Sequence, residues 1–150
     1  MEKLTNILLA EDDGTDYDFF IEALEEINAG LEVTWVKTGL DCMAILKTDQ
    51  KFDAIFLDLN MPAYNGIDCL RYIKGNENRA DIPVVIFSTS HYIKNIDTCF
   101  KMGAHYYIVK PVEHRILVSS LKQVLNQLSA TFERPAKHQF VVGVSTPVEG

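Results

Sequence analysis

Three hydrophobic runs in this chain stop at residues whose charges complement one another. Each run is continuously apolar, which is typical of a strand buried on both faces of a parallel sheet. The runs and the residues that follow them are 7–10 with Glu11, Asp12 and Asp13, 54–57 with Asp58, and 107–109 with Lys110. If these strands are neighbours, their ends bring the acids and the lysine to one edge of the sheet. Crowded carboxylates are costly unless a cation joins them, so the pattern predicts a divalent-metal site beside a nucleophilic carboxylate.

Strand-like runs alternate with helical patterns five times along the chain, the other two runs being 33–36 and 84–87. Alternating elements of this kind indicate a parallel sheet covered by helices. We therefore predict an α/β fold with a doubly wound, five-stranded parallel sheet and helices on both faces, of the flavodoxin-like type. The stripes that indicate helices are Phe20, Ala23, Leu24, Ile27; Leu40, Ala44, Ile45; Ile67, Leu70, Ile73; Ile93, Ile96, Phe100; and Leu117, Leu121, Val124, Leu125, Leu128.

The helical pattern stops at residue 128, which divides the 150 residues into a predicted domain, 1–128, and a tail, 129–150. The tail contains two prolines and one apolar run, 140–144. A disordered terminus is one interpretation of this tail. The other is that the run packs on its own domain or adds as a strand to a partner chain, where it would help to form a homodimer.

Composition narrows the classes of partner. The net charge is −7, which argues against binding to a nucleic-acid backbone, and no stretch is apolar and long enough to cross a bilayer. Residues 1–6 lack the apolar segment of a secretory signal. The cysteines Cys42, Cys69 and Cys99 are far apart, so we interpret them as small buried hydrophobes rather than metal or redox ligands. Free thiols favour a cytoplasmic location. The four histidines show no ligand spacing, and we expect them at the surface or in support of a site.

Each candidate site residue also has a plainer structural interpretation. A carboxylate such as Asp58 can form an acyl phosphate, but aspartates at strand ends often cap turns or helices. Ser88 ends the fourth run and either binds a phosphoryl oxygen or caps the next helix. Lys110 closes an apolar strand, so we expect it to be buried near the acids rather than solvated. Pro111 after it is a candidate cis-proline.

The acidic turn after the first run suits magnesium. Mg²⁺ prefers oxygen ligands in octahedral geometry and keeps several waters, so one or two carboxylates and a carbonyl suffice. One acid from this turn and Asp58 could supply them. We expect Asp13 to cap the next helix instead of binding metal.

The ordered set of these residues resembles the receiver domain of two-component response regulators, the CheY-like family. The resemblance covers about residues 5–128 and rests on Glu11-Asp12, Asp58-Leu59-Asn60-Met61-Pro62 with Gly66, Ser88, and Lys110-Pro111. The polar loop 75–81 resembles a subset of single-domain regulators that are paired with phytochrome-type sensor kinases.

The resemblance implies a role for each matching position. Asp58 is then the phospho-acceptor, and the metal ligands are Asp12, Asp58 and the backbone carbonyl of Asn60, with Glu11 in support. The switch and phosphate-binding residues are Ser88, Thr89, Tyr107 and Lys110. Thr89 departs from the pattern because the family usually has a very small residue there, and its bulk would hinder access to the phosphate.

The implied function is that of a single-domain response regulator. A sensor histidine kinase or phosphotransfer protein would phosphorylate Asp58 with Mg²⁺ as cofactor, and the change would reshape a face that binds a downstream protein. Such a chain is not an enzyme apart from taking phosphate from small donors and losing it again. The alternative is a Mg²⁺-dependent phosphohydrolase of haloacid-dehalogenase type, but that family needs D-x-D after the first strand, whereas the nearest match here is Asp58-Leu59-Asn60 after the third.

Overall fold

Six parallel strands form one sheet in the computed structural model, which describes residues 4–143. The strands are β1 (Asn6–Ala10), β2 (Glu32–Val36), β3 (Ala54–Leu57), β4 (Val84–Ser88), β5 (Tyr106–Val109) and β6 (Val141–Val142). Their order across the sheet is β2-β1-β3-β4-β5-β6. The predicted fold class is confirmed, and the sheet has one strand more than predicted.

Five helices cover the two faces of the sheet: α1 (Gly14–Ile27), α2 (Gly39–Leu46), α3 (Gly66–Gly75), α4 (Ile93–Lys101) and α5 (His114–Ala130). Side chains alternate between the faces along each strand, because successive residues of a strand point to opposite sides. In β3, for example, Phe56 packs with α1 and α5, whereas Ile55 and Leu57 pack with α2, α3 and α4. No helix within residues 4–143 is long and apolar enough to span a membrane.

The helices begin where short polar side chains satisfy their first backbone N–H groups. Asp13 accepts hydrogen bonds from the N–H groups of Thr15 and Asp16, so its predicted capping role is confirmed. Asn65 and Asp68 form a reciprocal capping box at the start of α3. These caps fix where α1 and α3 begin. They thereby also fix the ends of the loops before these helices, which carry the predicted site.

The polar loop 75–81 contains a buried arginine that the sequence pattern did not single out. Arg79 is only 5% exposed, and its guanidinium donates hydrogen bonds to the backbone carbonyls of Leu46, Thr48 and Gln50. These carbonyls lie at and just after the end of α2, where the carbonyls have no partner within the helix. Arg79 therefore ties the loop before β4 to the end of α2.

Part of the predicted tail packs on its own domain. Residues 137–139 form a 3-10 turn, and β6 then pairs with β5 in parallel, with Tyr107 opposite Val141 and Ile108 opposite Val142. Phe140 is completely buried and Val142 is 5% exposed. Burial of this apolar pair is why the segment does not extend into solvent. The packed unit thus continues past the predicted boundary at residue 128. Val144 of the apolar run, Pro147 and residues 1–3 lie outside the described residues.

His105 differs from the prediction that the histidines lie at the surface or support a site. It is only 6% exposed, far from the strand ends that carry the acids, and its Nε2 lies 3.3 Å from the carbonyl oxygen of Phe132. Burial, helped by the nearby Lys74 and Arg134 charges, lowers the pKa of His105 to about 4, although the hydrogen bond with the Phe132 carbonyl opposes the shift. His105 is therefore neutral in the folded protein at neutral pH.

We expect His105 to make the fold sensitive to acid. Because its folded pKa is depressed, its contribution is fully present above the ordinary value of 6.5 and is lost as pH falls towards about 4. Urea unfolding near pH 7 and pH 4.5 should show that His105→Gln loses less stability on acidification than the wild type, by about 2 kcal/mol. The exposed His138→Gln variant is the matched control and should follow the wild type. Equal acid losses in the wild type and His105→Gln would contradict this role.

Candidate functional site

Three carboxylates meet at the carboxyl ends of the neighbouring strands β1 and β3. One carboxylate oxygen from each of Glu11, Asp12 and Asp58 lies within 4.8 Å of the others. The hydrogen-bond ladder sets this position, since the Asp58 N–H donates to the Ala10 carbonyl at 3.0 Å. The strand order reverses at β1, so the cluster lies at the switch point where doubly wound sheets bind ligands.

Lys110 reaches into this cluster from the end of β5. Its Nζ lies 2.7 Å from Glu11 Oε1, 2.9 Å from Asp16 Oδ2 and 3.0 Å from Asp58 Oδ2. The side chain is only 8% exposed. Burial alone would lower the pKa of Lys110, but the close carboxylates of Glu11 and Asp16 and the charge of Asp58 outweigh it and raise the pKa. The lysine is thus a fixed positive charge among acids, as predicted for a buried rather than solvated side chain.

Glu11 is the most strongly perturbed acid of the cluster. It is completely buried, and burial raises its pKa to about 8 although Lys110 opposes the shift. Its Oε1 contacts Lys110 without hydrogen-bond geometry and has no hydrogen-bond partner among the described residues. The ion pair with Lys110 offsets only part of the cost of burying this carboxylate, because the same lysine is shared with Asp16 and Asp58. A further cation at this point would therefore be stabilised, and the all-oxygen donor set fits Mg²⁺.

Asp58 itself is held in a defined orientation. It is 3% exposed, its Oδ1 accepts a hydrogen bond from the Asn60 N–H at 3.1 Å, and its Oδ2 accepts one from Lys110. Asn60 is exposed two residues after Asp58, and the metal-binding role of its carbonyl stays a prediction. Both oxygens of Asp58 are thus positioned by groups that stabilise negative charge.

The loop between β4 and α4 follows the strand that pairs with β3 on the side away from β1. Ser88 is completely buried, and its hydroxyl accepts a hydrogen bond from the Ser90 N–H at 3.2 Å. It does not cap α4, which begins five residues later at Ile93, so the capping interpretation is wrong. Tyr107 is also completely buried and donates its hydroxyl to the Ser90 carbonyl at 2.7 Å. Burial raises the pKa of Tyr107 to about 12, so the phenol keeps its proton.

A cavity of about 310 Å³ lies beside Lys110. Thr89 is exposed and lines this cavity together with Asp16, Phe19 and Val112. Most of its lining is apolar, and the ion-paired side chains of Asp16 and Lys110 contribute charges to it. The bulk of Thr89 can therefore affect access to the phosphate through this cavity. Its effect on the gain and loss of phosphate stays a prediction.

Two residues of the site were missed by the sequence reasoning. Asp16 binds Lys110 from the first turn of α1, and its position four residues after Asp12 could have placed it on the same side of the helix start. Trp35 donates its indole N–H to the Glu11 carbonyl at 2.8 Å and stacks on Tyr17.

The candidate cis-proline is not found, since no peptide bond within residues 4–143 is cis. The trans form is the lower in free energy for most X–Pro bonds.

Comparison with known proteins agrees with this geometry. The family model for the response regulator receiver domain matches residues 7–122, which is more than half of the chain. The chain belongs to this family. Receiver domains are the signalling switches of two-component systems, so membership favours a switch over a phosphohydrolase of haloacid-dehalogenase type.

Individual relatives of this receiver domain differ in length. The response regulator Rcp1 of Synechocystis is 31% identical over 69% of this chain and 75% of its own. The phosphate regulon regulatory protein PhoB of Pseudomonas aeruginosa is 32% identical over 81% of this chain, which spans only 52% of that protein.

Solved structures agree with the sequence relatives. The crystal structure of the phosphorylated cyanobacterial phytochrome response regulator RcpA matches with a TM-score of 0.77 and 29% identity, over 87% of this chain and 96% of RcpA. The Mn²⁺-bound structure of Rcp1 matches equally well, with a TM-score of 0.77 and 28% identity over 88% of this chain and 99% of that one.

Proposed function

We propose that this receiver domain accepts a phosphoryl group on Asp58 from a phosphohistidine of a sensor kinase or phosphotransfer protein. The observation that carries the proposal is the contact of Lys110 with Asp58 inside the acidic cluster, 3.0 Å from Nζ to Oδ2. An oriented carboxylate paired with a fixed cation is a competent nucleophile whose product, an acyl phosphate, keeps the same cation as a partner. The structural relative RcpA, a phytochrome response regulator that was crystallised in a phosphorylated form, supports this proposal.

The transfer needs no other covalent chemistry from the protein. A carboxylate oxygen of Asp58 forms the new bond to phosphorus while the bond from phosphorus to the donor nitrogen breaks, and the nitrogen keeps the electron pair. Lys110 is placed to pair with the phosphoryl oxygens, and the buried Ser88 hydroxyl can donate to one of them. Water later hydrolyses the acyl phosphate and resets the switch. Small phosphodonors such as acetyl phosphate can replace the kinase in the same step.

Magnesium is the cofactor that we propose for this step. Asp12, Asp58 and the backbone carbonyl of Asn60 would hold it, and Glu11 would support it directly or through water. When bound, the divalent ion offsets negative charge on the phosphoryl oxygens. The carboxylate oxygens within 4.8 Å of one another support this choice, as does the relative Rcp1, which was crystallised in a Mn²⁺-bound form.

The phosphoryl group would act on partners through the loop after β4. Ser88 and Tyr107 touch this loop from two sides, so a shift of Ser88 towards phosphate changes the surroundings of Tyr107 and the face formed by α4, β5 and α5. A downstream protein that binds this face would read the change.

Metal binding gives a direct test, because Trp35 is the only tryptophan and bonds to Glu11. Titration with Mg²⁺ should change its fluorescence, and Asp12→Asn should weaken the apparent affinity by about tenfold or more because one ligand charge is lost. Asp18 is exposed on α1, and Asp18→Asn is the matched control. If Asp12→Asn bound Mg²⁺ as tightly as the wild type, Asp12 would not be a metal ligand.

A further inference from the structure

The segment that follows α5 crosses the face formed by α4, β5 and α5. This C-terminal strap, residues 131–143, is fixed at several points before it reaches the sheet. Arg134 donates hydrogen bonds to the carbonyls of Ala104 and Phe100 and lies over the Phe100 ring, with its guanidinium carbon 4.4 Å from the ring centroid. Lys137 forms an ion pair with Asp97 of α4 at 2.9 Å. The strap is thus a specifically held part of the fold.

Phe140 is the apolar anchor of the strap. Its side chain is completely buried and makes edge contacts with Phe100 and Tyr107, at centroid distances of 5.2 and 6.2 Å. Its carbonyl accepts a hydrogen bond from the Tyr107 N–H at 3.0 Å. Tyr107 is therefore held by the strap through both its backbone and its ring.

The contacts continue from Tyr107 to the acceptor site. The Tyr107 hydroxyl bonds to the Ser90 carbonyl, and the Ser90 N–H bonds to the Ser88 hydroxyl. Ser88 ends β4, next to β3 and the Asp58 that follows it, and both side chains are buried. A path of contacts through Tyr107, the Ser90 backbone and Ser88 thus leads from the strap to the strand beside β3, which Asp58 follows.

We propose that docking of the C-terminal strap and phosphorylation of Asp58 stabilise each other. The inference rests on the proposed function, because it needs a phosphoryl group on Asp58. With the strap docked, Phe140 fills the space beside Tyr107 and keeps the phenol bonded to the loop that presents Ser88. Without it, Tyr107 gains a solvent-facing side and can rotate away, so the loop loses an anchor and Ser88 is no longer held for a phosphoryl oxygen. Coupling of this kind is reciprocal, so phosphorylation should in turn stabilise the docked strap.

The first test compares phosphate occupancy in variants of the strap. Incubate each protein with acetyl phosphate and Mg²⁺ to steady state and determine the ratio of phosphorylated to free protein by intact mass. Phe140→Ala should lower this ratio about fivefold or more, which is the lower range of measured couplings between sites. Phe132→Ala is the matched control, because this aromatic side chain of the same strap is 73% exposed. Its ratio should equal that of the wild type, and Phe140→Leu should recover most of the loss.

The second test needs no substitution. Hydrogen exchange in the wild-type chain should slow at the Tyr107 amide on phosphorylation, since this amide bonds to Phe140. An equal phosphate ratio in Phe140→Ala and the wild type, or unchanged exchange at Tyr107 in a chain that carries phosphate, would overturn the coupling and leave the proposed function intact. Failure of the wild type to take up phosphate would overturn both.

Discussion

Lys110→Met is expected to lower the free energy of unfolding by about 3 kcal/mol near pH 8 in the absence of divalent metal, a typical cost of breaking a buried ion pair. The variant keeps the length of the side chain but leaves Glu11, Asp16 and Asp58 without their shared cation. The loss should be larger at pH 9 than at pH 7, because removal of Lys110 raises the pKa of Glu11 further above about 8, and well below pH 8 this carboxyl carries a proton in both proteins. Denaturant unfolding at several pH values measures both effects.

Magnesium should restore part of the stability of Lys110→Met, because a divalent ion replaces the missing positive charge among the carboxylates. Lys122 is exposed on α5, so Lys122→Met is the matched control and should change stability by less than about 0.5 kcal/mol. A Lys110→Met variant as stable as this control at pH 8 without metal would show that the lysine does not balance the acidic cluster.

Gly66→Ala is expected to destabilise the fold by about 3 kcal/mol and to impair phosphorylation at the same time. A β-carbon at Gly66 would lie 2.3 Å from the Asp58 carbonyl oxygen and 2.7 Å from the Leu59 Cα, so backbone atoms would have to move. Overpacking of this kind typically costs 1–3 kcal/mol, and a contact with backbone lies at the upper end. Thermal unfolding and phosphate uptake from acetyl phosphate measure the two losses.

Gly75→Ala provides the control at the other end of the same helix. Nothing lies within 4 Å of a β-carbon there, so the substitution should be neutral or slightly stabilising. If Gly66→Ala matched Gly75→Ala in both stability and phosphate uptake, neither property would depend on the close approach of α3 to the Asp58 backbone.

The sheet and the acidic cluster could be predicted because their signals are local. The buried strands β3 and β5 are continuously apolar, and they end directly before Asp58 and Lys110. Parallel pairing then brings strand ends together whatever the loops do between them. The site is thus predictable as soon as the period of the elements is recognised.

The remaining features depend on contacts between distant segments. Arg79 looks like one more polar residue of a loop, and its burial depends on carbonyls about thirty residues earlier in the chain. The strand β6 has only two residues, too short for a periodic signal, and the register of Tyr107 with Val141 decides its position. Asp16 is an ordinary first-turn acid until β5 brings Lys110 beside it. Such tertiary contacts leave no periodic trace in a single sequence.

The phospho-acceptor is tested most directly by intact mass after incubation with acetyl phosphate and Mg²⁺. The wild type should gain one phosphoryl group that is lost on standing, whereas Asp58→Asn, which keeps the size of the side chain but not its nucleophilic charge, should gain none. Omission of Mg²⁺ should likewise prevent the gain. A folded Asp58→Asn protein that carries the same added mass as the wild type would contradict the assignment of Asp58 as the residue that accepts phosphate.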